Sequence, residues 1–147
     1  MRTLLVASLT AVAVAATASV SLAGHGGAAS ARFVTPKAGA MTGSTVTFKV
    51  KLANFQLDAA SVGKMNAAGK GHLHFAMDGG KLDFPKYSGA NGKLATQLGI
   101  AGKYSPAVNP WITYRNLPRG RHTLTVFLAN NDHSPQGAKA SVRFWVS

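Results

Sequence analysis

The sequence predicts an all-β fold, an antiparallel immunoglobulin-like β-sandwich of about seven strands preceded by a signal peptide. Three observations lead there. Several segments alternate apolar and polar residues without interruption; glycine, proline and asparagine turns separate them; and no segment of sufficient length carries a capped helical period. The chain has 147 residues, enough for one domain with a real core and too few for two.

Taken in order, Met1-Arg2-Thr3 gives a positive start, and Leu4 to Val20 is almost wholly apolar. Ser21-Leu22-Ala23 then supplies small residues at both recognition positions of a signal peptidase. Residues 1–23 therefore read as a signal peptide cleaved before Gly24. An uncleaved anchor is the competing reading, since the run is just long enough to span a bilayer, but its alanines, serines and threonines make it weakly hydrophobic. The Gly/Ala-rich residues 24–31 read as a flexible lead-in, and residues 32–147 as the sandwich domain.

The clearest strand is Thr45 to Leu52, where Val46, Phe48, Val50 and Leu52 face a core and Thr45, Thr47, Lys49 and Lys51 face water. Gly71 to Met77 follows, with Leu73, Phe75 and Met77 inward. Arg121 to Asn130 places His122, Leu124, Val126 and Leu128 inward, and Ala138 to Val146 repeats the pattern. Ala31 to Thr35, Lys93 to Leu98 and Trp111 to Arg115 are weaker candidates. The glycines and prolines between Gly79 and Asn109 suggest long connections and one edge strand. In an immunoglobulin-like order the strand at 71–77 and the strand at 121–130 are antiparallel neighbours, with the last strand beside the second of them.

That order brings histidines together. His72 and His74 stand two apart and leave the same strand face, about 7 Å from each other. With Leu73, Phe75 and Met77 claiming the core, both should point outward. His133 emerges on the same face if strand geometry continues past Ala129. Three imidazoles with an open position suit Zn(II) or Cu(II) when no thiolate is available, so copper or zinc is the expected cofactor and His72, His74 and His133 the expected ligands of a surface site. Asn131 and Asp132 are the nearest groups to orient a ring. His122 is in phase with the core and reads as a structural histidine near a turn, and Asp78 as a turn residue. His25 is second, not first, after the expected cleavage, which gives no support to a terminal-histidine copper brace.

Gly71-His72-Leu73-His74 followed by Asp78-Gly79, then Leu117-Pro118-Arg119-Gly120-Arg121-His122-Thr123-Leu124, then Asn131-Asp132-His133-Ser134-Pro135, resemble a family of exported bacterial Ig-like domains. Its pattern is G-H-x-H-x-x-x-D-G, L-P-x-G-x-H-T-L and N-D-H-x-P. The resemblance spans about Thr35 to Val146. It implies an Ig-like sandwich outside the cytoplasm, in a periplasm or secreted, and implies no particular activity. The basic segment from Gly79 to Arg115 departs from the pattern, which leaves partners shared across the family open.

Composition narrows the chemistry. Lys and Arg number 16 against 4 acids, all aspartate, for a net charge of +12, and cleavage removes only Arg2 from this balance. Without cysteine there is no disulfide, thiol nucleophile or thiolate metal site. Without glutamate, paired-carboxylate catalysis and an oxygen-ligand calcium site have little to draw on. No G-x-S-x-G elbow or phosphate loop occurs, so the chain does not read as an enzyme. The charge attracts polyanions, which makes anionic cell-envelope polymers a second expected partner. Aromatic interleaving of the base-stacking kind is thin, so specific nucleic-acid binding is not expected. The overall expectation is a monomeric, exported metal-binding domain with no transmembrane segment after cleavage. The alternative is a structural or adhesive envelope module whose histidines only hydrogen-bond.

Overall fold

The computed structural model describes residues 27–79 and 106–147. The expected signal peptide, His25 and the expected strand from Lys93 to Leu98 lie outside the described residues.

Eight strands carry the described part of the chain: β1 (Ser30–Thr35), β2 (Ala40–Thr42), β3 (Val46–Ala53), β4 (Gln56–Leu57), β5 (Lys70–Met77), β6 (Trp111–Tyr114), β7 (Gly120–Ala129) and β8 (Pro135–Val146). They form a three-stranded sheet, β1-β3-β6, and a five-stranded sheet, β2-β8-β7-β5-β4. One short 3-10 turn, Ala59–Ser61, is the sole helical element among the described residues, and no helix there is long and apolar enough to cross a membrane. The fold is all-β, as the alternating patterns predict.

Both sheets line one core. Val46, Phe48 and Val50 of β3 meet Phe75, Leu124, Val126 and Phe144 of the other sheet. Phe48 is the hub, with ring centroids 5.1 Å from Phe144, 5.7 Å from Tyr114 and 6.2 Å from Phe33, all edge-on. The predicted neighbours pair as expected: β5 is antiparallel to β7 and β7 to β8.

Four details differ from the sequence reading. The lead-in ends earlier, because Ser30 and Ala31 already pair with Ala53 and Leu52. β8 starts at Pro135, three residues before the regular alternation sets in. β2 and β4 were not expected; with three and two residues they are too short to show a period. Both pair in parallel, β2 with β8 and β4 with β5, so the sheet is not wholly antiparallel. Finally, β5 is buried on both faces from Gly71 to Met77 except at His74, rather than on one.

Candidate metal centre

The site is built where β5 and β7 run side by side. His72 is opposite Ala129 and His74 opposite Phe127, which puts the start of β5 beside the end of β7. The approach is close at Gly71: a Cβ there would collide with the Ala129 carbonyl oxygen and come within 3.0 Å of the Phe55 ring. Glycine before the first histidine is thus a packing requirement.

β7 ends at Ala129, and a tight turn carries His133 back. His133 N–H donates to the Asn130 carbonyl at 3.0 Å, and Asn130 N–H donates to the Ser134 carbonyl at 2.9 Å. His133 adopts φ 68°, a left-handed backbone uncommon for a residue with a side chain. The expectation that His133 arrives by continued strand phase is corrected. A turn delivers it, and it still reaches the other two rings.

Turn geometry is fixed by polar side chains. Asp132 Oδ1 accepts from Ser134 N–H at 2.9 Å and from Ser134 Oγ–H at 2.5 Å. The Ser134 hydroxyl, followed by the Ser134 amide, holds the Asp132 carboxyl below its usual range. Asn131 is buried and its Nδ2 donates to the Met65 carbonyl at 3.0 Å, while its own carbonyl accepts from Gly63 N–H at 2.7 Å. Asp132 N–H donates to Asn66 Oδ1 at 3.0 Å. These bonds make Asn131 and Asp132 organisers of the loop that bears His133, through its backbone and the segment from Gly63 to Asn66. The hydrogen bonds found for them do not run to a ring nitrogen. Asn66 and Ser134 went unrecognised in the sequence, since nothing in their spacing separates them from ordinary loop residues.

The three rings converge. His72 Nε2 lies 2.9 Å from His74 Nε2 and 3.0 Å from His133 Nδ1, and the last two atoms are 3.4 Å apart. Ring centroids are 4.5 to 5.6 Å apart. Among the described residues this is the group of side chains that could hold a metal ion. It is less exposed than a surface site: His72 is fully buried, and His74 and His133 are half-buried. The correction follows from the double-sided burial of β5, which alternation alone does not reveal.

Burial and proximity keep the His72 and His74 rings neutral. Burial, and then the neighbouring His133, lower the His72 pKa to about 4. Burial, then His72 and His133, lower that of His74 to about 4. At neutral pH each therefore has one lone pair to offer.

Hydrogen bonding alone satisfies this arrangement only in part: His72 Nε2–H shared between His74 Nε2 and His133 Nδ1 leaves those two nitrogens facing each other at 3.4 Å with lone pairs alone. Each converging nitrogen either carries hydrogen or presents a lone pair, so around a ring of three at least one contact must join two of the same kind. Two lone pairs or two N–H groups at about 3 Å repel one another. A cation at the centre removes the conflict, because all three nitrogens then present lone pairs to it. The spacing fits: with metal–nitrogen bonds of about 2.0 Å, ligand nitrogens lie about 2.8 Å apart at a right angle and about 3.3 Å apart in a tetrahedron. The observed separations fall within or just beyond that range. In that state His72 Nδ1 carries the ring hydrogen, and it is buried without a partner.

His122 is elsewhere and does something else. It is buried and lies over the Phe144 ring at 5.5 Å, with Nδ1 2.8 Å from Asp78 Oδ2 and Nε2 2.8 Å from the Pro118 carbonyl. Asp78 Oδ1 accepts from Thr123 N–H at 2.9 Å. The structural role expected for His122 agrees with these contacts. Asp78 is a turn residue as expected; its backbone is left-handed at φ 54°, and its side chain also ties that turn to β7.

No family model matches the chain, and no curated protein matches it. Among solved structures it is similar to the Clostridium thermocellum CbhA fibronectin(III)-like modules, at 13% identity and a TM-score of 0.44 over 81% of this chain and 46% of that one. The chain thus spans less than half the length of that neighbour. At this level the likeness bears on neither the site nor its ligand.

Proposed function

We propose that the chain is an exported immunoglobulin-like domain that binds a transition-metal ion, copper or zinc, through His72 Nε2, His74 Nε2 and His133 Nδ1. The observation that carries this reading is the triangle of ring nitrogens at 2.9, 3.0 and 3.4 Å, which hydrogen bonding satisfies only by sharing one N–H between two acceptors and whose spacing suits three ligands of one cation. The neutral state of His72 and His74 at physiological pH supports it, since imidazole must be deprotonated to ligate. Imidazole nitrogens suit both Zn(II) and copper, and the chain offers no thiolate to discriminate between them. Export is supported by the N-terminal apolar run and by the resemblance of the three motifs to exported bacterial Ig-like domains.

Calorimetric titration with Zn(II) and with Cu(II) tests the proposal, using the wild type and a His74→Ala/His133→Ala variant. We expect one equivalent to bind the wild type at micromolar metal or tighter, and the double variant to lose about 100-fold or more in affinity. Equal binding by the two proteins, or binding by neither, would favour a structural envelope module whose histidines only pack.

A further inference from the structure

The outer face of the three-stranded sheet carries a charge arrangement that the fold does not need. Arg32 of β1 and Lys51 of β3 are direct cross-strand partners and both are exposed. Like charges so placed repel. Lys49, two residues along β3, faces Thr35 on one side and Trp111 of β6 on the other, so a third cation joins the same patch. No carboxylate offsets them among the described residues. Asp58 lies beside Gly71, Asp78 is bound to His122, and Asp132 is in the loop of the metal centre.

Trp111 is 52% exposed although it is one of the largest apolar side chains. It borders a cavity of about 430 Å³ along the edge of β6 that no strand pairs with among the described residues, which Val108, Asn109, Thr113 and Arg115 also line. Between the cations and Arg115 the face is hydroxylated: Thr47 and Thr113 hydrogen-bond to each other at 2.8 Å. Repelling cations, a flat aromatic and a hydroxyl-lined sheet thus occupy one surface.

We propose that this face binds an acidic polysaccharide. Carboxylates of the glycan meet Arg32, Lys49 and Lys51, and the C–H face of a sugar ring lies on Trp111. Arg32 and Lys51 sit on neighbouring strands about 4.8 Å apart, near the length of a sugar unit, and Lys49 lies about 7 Å from Lys51 along β3. A polyphosphate would satisfy the charges and leave Trp111 without a partner. An anionic bilayer would take the tryptophan, but it would meet threonines where an inserting surface presents apolar side chains. The proposal is independent of the metal centre, which lies on the other sheet.

Affinity electrophoresis of the full chain through gels containing polygalacturonate tests it, with neutral dextran, inorganic polyphosphate and phosphatidylglycerol vesicles as comparison ligands. Two double variants remove equal charge from opposite faces: Lys49→Ser/Lys51→Ser from the proposed site, and Lys139→Ser/Arg143→Ser from the outer face of β8. All four positions are exposed, and circular dichroism checks that the fold is kept. At about 50 mM salt we expect the first variant to bind polygalacturonate about tenfold more weakly and the second within about twofold of wild type, with all binding weakening as salt rises. Trp111→Ala should lose roughly fivefold. Equal losses in the two double variants, an unaffected Trp111→Ala, absent binding, or binding to polyphosphate or vesicles as tight as to the glycan would each overturn the proposal.

Discussion

At the scale of single residues, the three clustered histidines leave one nitrogen–nitrogen contact without a shared hydrogen, and under the proposed function a metal ion between them would resolve it. Replacing His133 with alanine should therefore leave the melting temperature of the metal-free protein unchanged or higher, while abolishing stabilisation by Zn(II). Thermal melts with and without the metal and a chelator read both effects, and a large loss of metal-free stability would mean that the rings are structural. Acid should act through the same residues. His72 and His74 titrate near 4 in the folded protein against 6.5 for the free side chain, so between those values the unfolded chain holds more protons. Their effect on stability is absent above about 6.5 and becomes destabilising as pH falls through that window. Denaturant midpoints of the metal-free protein measured from pH 7 to pH 4 should fall, and the fall should be smaller in a His72→Phe/His74→Phe variant. Asp78 belongs to the other class of residue, since its two oxygens serve a buried ring and a backbone amide. Asp78→Ala should cost about 2 kcal/mol in urea unfolding through the donors it strands.

At the scale of elements, β5 shows what alternation conveys and what it hides. Leu73, Phe75 and Met77 were legible as the inward face, and β7 and β8 could be placed beside them, because strands with one polar and one apolar face announce their period. The same pattern suggested that His72 points to water, and it is fully buried. Polarity marks only which face avoids the main core, and says nothing of a loop or a turn folding over the other face. β2 and β4 lay beyond reach for a different reason: their hydrogen bonds are made by backbone, which every sequence possesses. Gly71 is the element's hinge with its neighbour. Gly71→Ala forces β5 away from the Ala129 carbonyl and should destabilise by about 2 kcal/mol or more, with the histidine triangle widened and metal affinity reduced. On the opposite sheet, Lys51→Glu turns a repulsive pair with Arg32 into an attractive one and should raise stability by about 0.5 kcal/mol.

At the scale of the whole molecule, the candidate site was legible as a set of residues and illegible as a geometry. Strand phase brought His72 and His74 together, but the arrival of His133 depends on a left-handed turn at that residue and on the Asp132–Ser134 bonds that hold it, none of which a period records. Binding at this site should be felt well beyond it, because the three histidines belong to β5 and to the loop that joins β7 to β8. At a free metal concentration about 100-fold above the dissociation constant the gain is about 2.7 kcal/mol, enough to raise the melting temperature of a domain of this size by roughly 10 °C. A scan at increasing Zn(II) checks this, and a melting temperature independent of metal would contradict it. The chain has no cysteine, and His72 and His133 are 61 positions apart. An ion held by both would cross-link the chain across that interval and restrict the unfolded ensemble much as a disulfide does. Such a bridge is indifferent to reductants and undone by chelators or acid, so the domain's durability would follow metal supply rather than redox state.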